Sequence, residues 1–473
     1  MNRNEIKEKE IEYLAKEYKK NPLLFRKETY VDAPEFLEDF GIFIKGKGNF
    51  PLGYLKLWPQ DFIVEEITED GKIQDISVSD FFDRGKYFGE KDRTVYATMV
   101  KCDLSTLEAV EEISSLLRIN NKQINFAGMK DKDAITSQLI SIRKTNFEDI
   151  KNLNSPYIFL KNVYSGKGVV EVGKLKGNEF TILIRTDGNF QKEEFLSNVN
   201  TIKKEGFFNF FYLQRFGTPR LINFYWGLFI LKGDYEKAIL SFLSSPGKRE
   251  LPYFHQLRKL IGENFGNWQK VREITEPFSL IFQNERKVIS YLKENPKDFC
   301  GALKQIPEQV QLWLFALASL FFNKKLSAYL KENGKLPETL PLILSDDGKD
   351  WDSYQEVLSK NGIGSAPFKN LEPFPFIQLK KREIKTKESV KILDCKIVKE
   401  GVILDFVLPK ACYATTFLTH LFNLVSGLPP KAISGYPIDT KASLGKESLE
   451  ETLNRFQKVI HSKTEDSIKE FSL

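Results

Sequence analysis

The sequence lacks any apolar run near the roughly 18 residues that a membrane-spanning helix needs. Its start, MNRNEIKEKEIEYLAKEYKK, is charged and helix-prone, with no apolar signal region, so a cytoplasmic protein is expected. Cysteine is scarce: Cys102, Cys300, Cys395 and Cys412 lie far apart with no C-x-x-C pair, which excludes a disulfide framework and a zinc site of ordinary spacing. The histidines His255, His420 and His461 are equally scattered. No P-loop is present, and SGKGVVEVG at Ser165 to Gly173 spaces its glycines wrongly for a dinucleotide fingerprint. The expectation is a protein without metal or cofactor.

What is present points to a soluble globular protein. At 473 residues, with 41% apolar and 28% charged composition, the chain is too long for one ordinary core, so two domains are expected. A net charge of +6 permits contact with a phosphate backbone but does not by itself name RNA. Most basic residues must simply balance acids on solvated faces.

Residues 1–50 read as an N-terminal extension, with a helix near Glu5 to Lys20. From Gly53 the pattern is strand-rich: Tyr54 to Leu57, Phe62 to Ile67, Thr94 to Lys101, Gly168 to Val172 and Glu179 to Thr186 are predicted strands. Between them Ser105-Thr106-Leu107-Glu108 resembles a capping box, opening a helix with Leu107, Val110, Ile113 and Leu117 on one face. Lys192 to Glu205 is a second predicted helix. After Gly217 helical stretches dominate, including Tyr225 to Ile230, Tyr235 to Leu243, Gln283 to Lys293 and Val310 to Leu330. Strand character returns at Val390 to Ile397 and Val402 to Leu408, followed by a predicted helix over Thr416 to Val425. The fold class is α/β in the broad α+β sense, with a mixed or antiparallel sheet. A body at 51–219 and 386–430 is interrupted by a mainly helical insertion at 220–385. The tail, 431–473, contains one further predicted helix, Lys446 to Ile460.

The most informative stretch is INFAGMKDKDAITSQ, Ile124 to Gln138. Ile124 and Phe126 alternate with polar neighbours, and TSQLISIR resumes the alternation from Thr136, so Met129 to Ala134 is predicted to be a loop between strands. Loops on rigid strands are where reactive groups tend to sit. Asp131 lies there between Lys130 and Lys132, whose charge is expected to keep its carboxylate ionised, as a nucleophile or proton-abstracting base must be.

In its surroundings this stretch resembles the catalytic motif of the TruD family of pseudouridine synthases, AG-x-KD-x-x-A-x-T-x-Q. Four further segments match in the family's order: GYLKLWPQDFIVEE from Gly53, KLKGNEFTILIR from Lys174, NFFYLQRFG from Asn209 and LPKACYATTF from Leu408. FFNKKLSAYL, from Phe321, resembles the family's phenylalanine-asparagine helix motif within its insertion. The resemblance implies an isomerase that converts a uridine of RNA, transfer RNA first among candidates, to pseudouridine without a cofactor. It implies Asp131 as the catalytic carboxylate, Phe62, Phe180 and Tyr413 as walls around the base, Asn178 as a polar contact, and Lys56 as a partner of the carboxylate or of a phosphate. Lys130, Gln214, Arg215 and Phe216 are supporting residues. A monomer that binds RNA is expected.

The sequence departs from the family pattern at Asp133, Tyr212, Cys412 and the pair Thr419-His420, which bears on substrate preference more than on reaction type. The extension and long insertion are more like archaeal and eukaryotic relatives than compact bacterial ones. Two competing readings are an inactive RNA-binding protein of the same fold and a glycosidase-like hydrolase. The second lacks an obvious partner acid in a matched motif.

Overall fold

The computed structural model describes residues 3–78, 82–83, 94–145, 147–332, 334–343, 348–364, 367–377 and 382–463. The chain divides into two compact units, one formed by Asn49–Phe207 and Glu388–Asp466, the other chiefly by Met1–Gly48 and Phe208–Lys387. Among the described residues no helix is long and apolar enough to cross a membrane.

The first unit is built on a mixed sheet. Its strands include β1 (Leu52–Tyr54), β2 (Phe62–Ile67), β3 (Thr94–Cys102), β4 (Ile124–Phe126), β5 (Ile135–Ile142), β6 (Ile158–Gly166), β7 (Gly177–Arg185), β8 (Lys391–Val398), β9 (Gly401–Pro409) and β10 (Asn423–Gly427). The main path runs β10-β1-β7-β2-β5-β3-β6, with β9 also pairing β7, β8 pairing β9, and β4 pairing β5. The β10–β1 and β2–β5 pairs are parallel, whereas β2–β7, β5–β3 and β3–β6 are antiparallel.

Register sorts the side chains. Val64 stands opposite both Thr136 and Phe180, Glu66 opposite Asn178, and Lys101 opposite Thr136. Because side chains alternate along a strand, Phe62, Glu66, Lys101, Thr136, Gln138, Asn178 and Phe180 share one face. The helix Thr106–Leu117 covers part of that face through Ala109, Val110 and Ile113, packed on Ala97, Met99, Ile140 and Ile142. It opens on the predicted capping box, in which Ser105 Oγ accepts from Glu108 N at 3.2 Å and Glu108 Oε2 accepts from Ser105 N at 2.8 Å. Leu107 faces solvent at 53% exposure, so it does not belong to the buried stripe. The opposite sheet face buries Ile63, Val100, Cys102 and Ile135 against Leu449, Phe456 and Val459.

Three local expectations are corrected. The strand expected over Tyr54 to Leu57 ends at Tyr54, since Lys56 turns into the left-handed region at φ 59°. The strand expected over Gly168 to Val172 is a loop: Gly168 has φ 84°, and the strand precedes it as β6. The segment read as a helix over Thr416 to Val425 is a short helix, Ala414–Leu418, followed by β10, because a short apolar run does not by itself distinguish the two states. Pairing with β1 decides it, aided by Asn423, whose main-chain N–H donates to Pro51 O and side-chain amide to Phe50 O, both at 2.9 Å. The tail helix is confined to Glu450–Arg455.

The second unit is mainly helical, with Asn223–Leu231, Tyr235–Ser244, Pro252–Glu263, Gln283–Glu294 and the long Pro307–Lys331 among its helices. Trp226 and Phe242 pack on Trp313 with ring centroids 4.8 and 4.9 Å away. A Cβ at Gly227 would fall 2.4 Å from Trp313 O, so glycine lets these helices approach closely. Asn323, in the FFN segment, is fully buried and clamps two loops: its amide donates to Phe40 O at 2.9 Å and Phe211 O at 2.8 Å, while its oxygen accepts from Phe211 N at 2.9 Å. The N-terminal helix Arg3–Lys20 belongs to this unit, with Leu14 in a cluster with Phe25, Tyr253, Phe278 and Phe282.

Candidate active site

Asp131 occupies the turn between β4 and β5, and the fold surrounds it with cations that the local sequence does not indicate. Lys56 Nζ donates to Asp131 Oδ1 at 2.5 Å, across 75 residues of chain. The same ammonium sits 4.2 Å from the centroid of the Phe62 ring, within cation–π range. Lys101, at the end of β3, is fully buried and donates to Asp131 O at 2.6 Å and to Leu104 O at 2.5 Å.

The two lysines adjacent in sequence turn elsewhere, contrary to the expectation that they hold the charge of Asp131. Lys130 Nζ pairs with Glu66 Oε2 at 2.6 Å in a nearly waterless setting, the side chains being 3% and 1% exposed. Lys132 reaches Glu108 Oε1 at 3.1 Å on the surface. The backbone explains this: successive side chains in an extended turn diverge, so neighbours in sequence rarely face the same group.

The loop is pinned on several sides. Lys130 N donates to Thr106 Oγ1 at 2.8 Å, and Gln138 Nε2 donates to Gly128 O at 2.9 Å. Thr106 Oγ1 also donates to Gln138 Oε1 at 3.0 Å, linking the helix to β5. Glu66 Oε1 accepts from Leu139 N at 3.1 Å, so the carboxylate that holds Lys130 also holds β5.

Loss of hydration works against the Asp131 charge, but Lys56 and then Lys101 outweigh it, and the carboxyl lies below its ordinary value of 3.8. Its side chain is 44% exposed, so the carboxylate is surrounded by protein yet open to a substrate. Burial is the largest influence on Lys101 and pushes it down to about 7; Asp131 and Cys102 act to raise it, Lys56 and Lys130 to lower it.

Phe62 and Phe180 are 2% and 5% exposed, their centroids 6.3 Å apart in an edge-to-face arrangement. Phe180 stacks on Phe406 at 5.2 Å. Asn178 lies within β7. Gly177 before it permits close approach, because a Cβ there would meet Leu408 O at 2.2 Å. Asn178 Oδ1 is buried without a hydrogen-bond partner among the described residues. Tyr413, at the start of the Ala414–Leu418 helix, is 50% exposed.

The remaining supporting residues belong to the helical unit. Phe216 is fully buried, 5.1 Å from Phe40 and 5.9 Å from Phe224, which gives it a bracing role there. The Arg215 guanidinium lies 5.1 Å from the Phe211 ring, and Gln214 is exposed. At the departures from the family pattern, Asp133 faces Lys463 at 3.6 Å, Tyr212 donates its hydroxyl to Asp32, and the buried His420 bonds Thr416 O through Nδ1 at 2.8 Å. A cavity of about 480 Å³ beside Tyr96, Tyr164 and Lys174 carries Glu69, Asp70 and Glu171 on its walls, but none of the Asp131 cluster.

Lys101 was not singled out from the sequence, since one lysine at a strand end carries no motif. Glu66 and Gln138 lay inside the matched segments, where that membership was the available signal.

A mixed-sheet body with a helical insertion thus carries a lysine-paired aspartate in the turn between two strands. The profile of tRNA pseudouridine synthase D (TruD) matches residues 47–342, and the chain belongs to that family of pseudouridine synthases. Among curated relatives, a Methanosarcina mazei protein named "Probable tRNA pseudouridine synthase D" is 25% identical over 453 residues, spanning 83% of this chain and 99% of the relative. A Methanocaldococcus jannaschii relative, "Probable tRNA pseudouridine synthase D 1", is 27% identical over 78% of this chain and 95% of its own length. One from Nanoarchaeum equitans is 29% identical over 78% and 98%. The fold is similar to that of a crystal structure from Methanosarcina mazei assigned as TruD, with a TM-score of 0.63 and 24% identity over 82% of this chain and 98% of that one.

Proposed function

We propose that this chain converts a uridine of transfer RNA to pseudouridine, with Asp131 as the acting carboxylate. The observation that carries the reading is the Lys56–Asp131 contact of 2.5 Å at an open carboxylate beside the Phe62 ring. The names of the relatives support transfer RNA as substrate, and a cytoplasmic monomer suits that substrate.

The reaction breaks the N1–C1′ bond, turns the uracil while it remains bound, and joins C5 to C1′; the proton lost from C5 is matched by one gained at N1. No electrons or water are consumed. An ionised carboxylate serves either as nucleophile toward the sugar or as base for a sugar proton. Both roles require the charged form that Lys56 and Lys101 favour. The target base must leave its stack to reach this point. Tyr413 offers it an exposed aromatic face, Phe62 and Phe180 an apolar floor, and the unpartnered Asn178 Oδ1 an acceptor matching the N3–H of uracil.

The test is pseudouridine mapping on transfer RNA incubated with wild-type protein or Asp131→Asn, with no metal or cofactor added. A new pseudouridine made only by wild type supports the reading, and its position identifies the target. Binding without modification by either protein would establish the inactive RNA-binding alternative instead, and release of free uracil the hydrolytic one.

A further inference from the structure

Lys101 has an arrangement that packing alone does not explain. Its ammonium is fully buried, and among the described residues no carboxylate lies within ion-pair distance of it. Both of its hydrogen bonds go to main-chain carbonyls: Leu104, just before the Thr106–Leu117 helix, and Asp131 itself. Burying an ammonium without direct charge compensation is costly. An apolar residue would fill a strand position facing a core at less cost. The anion coupled to this charge is the Asp131 carboxylate, carried on the same residue whose carbonyl the lysine grips.

Lys56 and Lys101 differ in what they can do during the reaction. Lys56 is 16% exposed and holds Oδ1 of the carboxylate directly. Lys101 approaches from the main-chain side, leaves both carboxylate oxygens free, and is tied to the sheet through β3, where it stands opposite Thr136. It therefore keeps its place while the carboxylate engages the sugar.

We propose that Lys101 is a positioning residue of the Asp131 loop, fixing the Asp131 main chain and favouring the ionised carboxylate from behind. This rests on the reading of Asp131 as the reacting group. An ammonium held there favours the ionised carboxylate before it acts on the sugar and again when it is released, without blocking its approach. The charged and titratable groups that bear on Lys101 are Asp131, Cys102, Lys56 and Lys130, of which only Asp131 is proposed to change charge in the reaction.

The test compares wild type, Lys101→Met and Lys101→Gln in single-turnover pseudouridine formation, with transfer RNA affinity measured separately. Methionine keeps the length and removes donor and charge; glutamine keeps a donor and removes charge. The expected result is a rate reduced by about tenfold or more at unchanged affinity, with the acid limb of the pH–rate profile moved to higher pH in both variants. A residue that only braces the fold would leave that limb in place, so an unmoved limb in folded variants overturns the proposal. NMR titration of the Lys101 side chain in wild type and Asp131→Asn provides the check if neither variant folds. Loss of the anion should move the lysine titration to lower pH, and an unchanged titration overturns the coupling. If Asp131→Asn retains full activity, the functional reading itself fails; if it is inactive while the Lys101 variants match wild type, only the role of Lys101 fails.

Discussion

Replacing Asp131 by asparagine keeps the shape of the side chain and removes the charge that the proposed chemistry needs. Pseudouridine formation should fall by at least about 10²-fold, with transfer RNA binding retained. Lys56→Met tests the direct partner. Burial favours the neutral acid and Lys56 opposes it, so without Lys56 the Asp131 carboxyl titrates higher and activity at the acid end of the profile declines first. The linkage has the corresponding sign. Because the folded value lies below the unfolded 3.8, Asp131 contributes stability that is present above 3.8 and is lost as pH falls through the folded value. The K-D-K turn and its matched surroundings singled out Asp131 and, by resemblance, Lys56 as a partner of its carboxylate, whereas the flanking lysines were misassigned and Lys101 was missed. Lys130 and Lys132 are adjacent in sequence but face Glu66 and Glu108; Lys56 and Lys101 are remote in sequence and meet the aspartate only after β2, β3 and β5 align.

The Asp131 loop depends on the elements that hold it. Removing one partner of a buried ion pair leaves an uncompensated charge, so Lys130→Met should destabilise the first unit by about 3–5 kcal/mol. Adding Glu66→Gln should recover much of that loss, because glutamine is neutral and can still accept from Leu139 N. Urea unfolding of the two variants and wild type measures the difference. At the helix that pins the loop, Ser105→Ala removes the acceptor for Glu108 N and should cost about 1 kcal/mol, read as a lower melting temperature. The capping box was visible as S-T-L-E, and helix and structure agree on where the element begins. The segment after Thr416 was not legible in the same way: its apolar residues suit either period, and pairing of β10 with β1 settles the matter.

At the scale of the molecule, the tail has a structural task that its sequence did not announce. Leu449, Phe456 and Val459 cover the sheet face opposite the Asp131 side, so Phe456→Ala should cost about 3–5 kcal/mol, seen as earlier denaturant unfolding of that unit. The net charge of +6 accompanies an expected fall of transfer RNA affinity with salt, linear in the logarithm of concentration, since bound lysines and arginines release counterions. The sequence by itself determined the family, the reaction type, the candidate aspartate and the alternation between a strand-rich body and a helical insertion. These are carried by local motifs and periodicities that any short window of chain displays. Only the tertiary structure set Lys56 on the carboxylate, added Lys101 behind it, and decided which glutamate anchors its loop and where Asn178 stands, because strand register brings together residues such as Lys56, Lys101 and Asp131 that no sequence spacing relates.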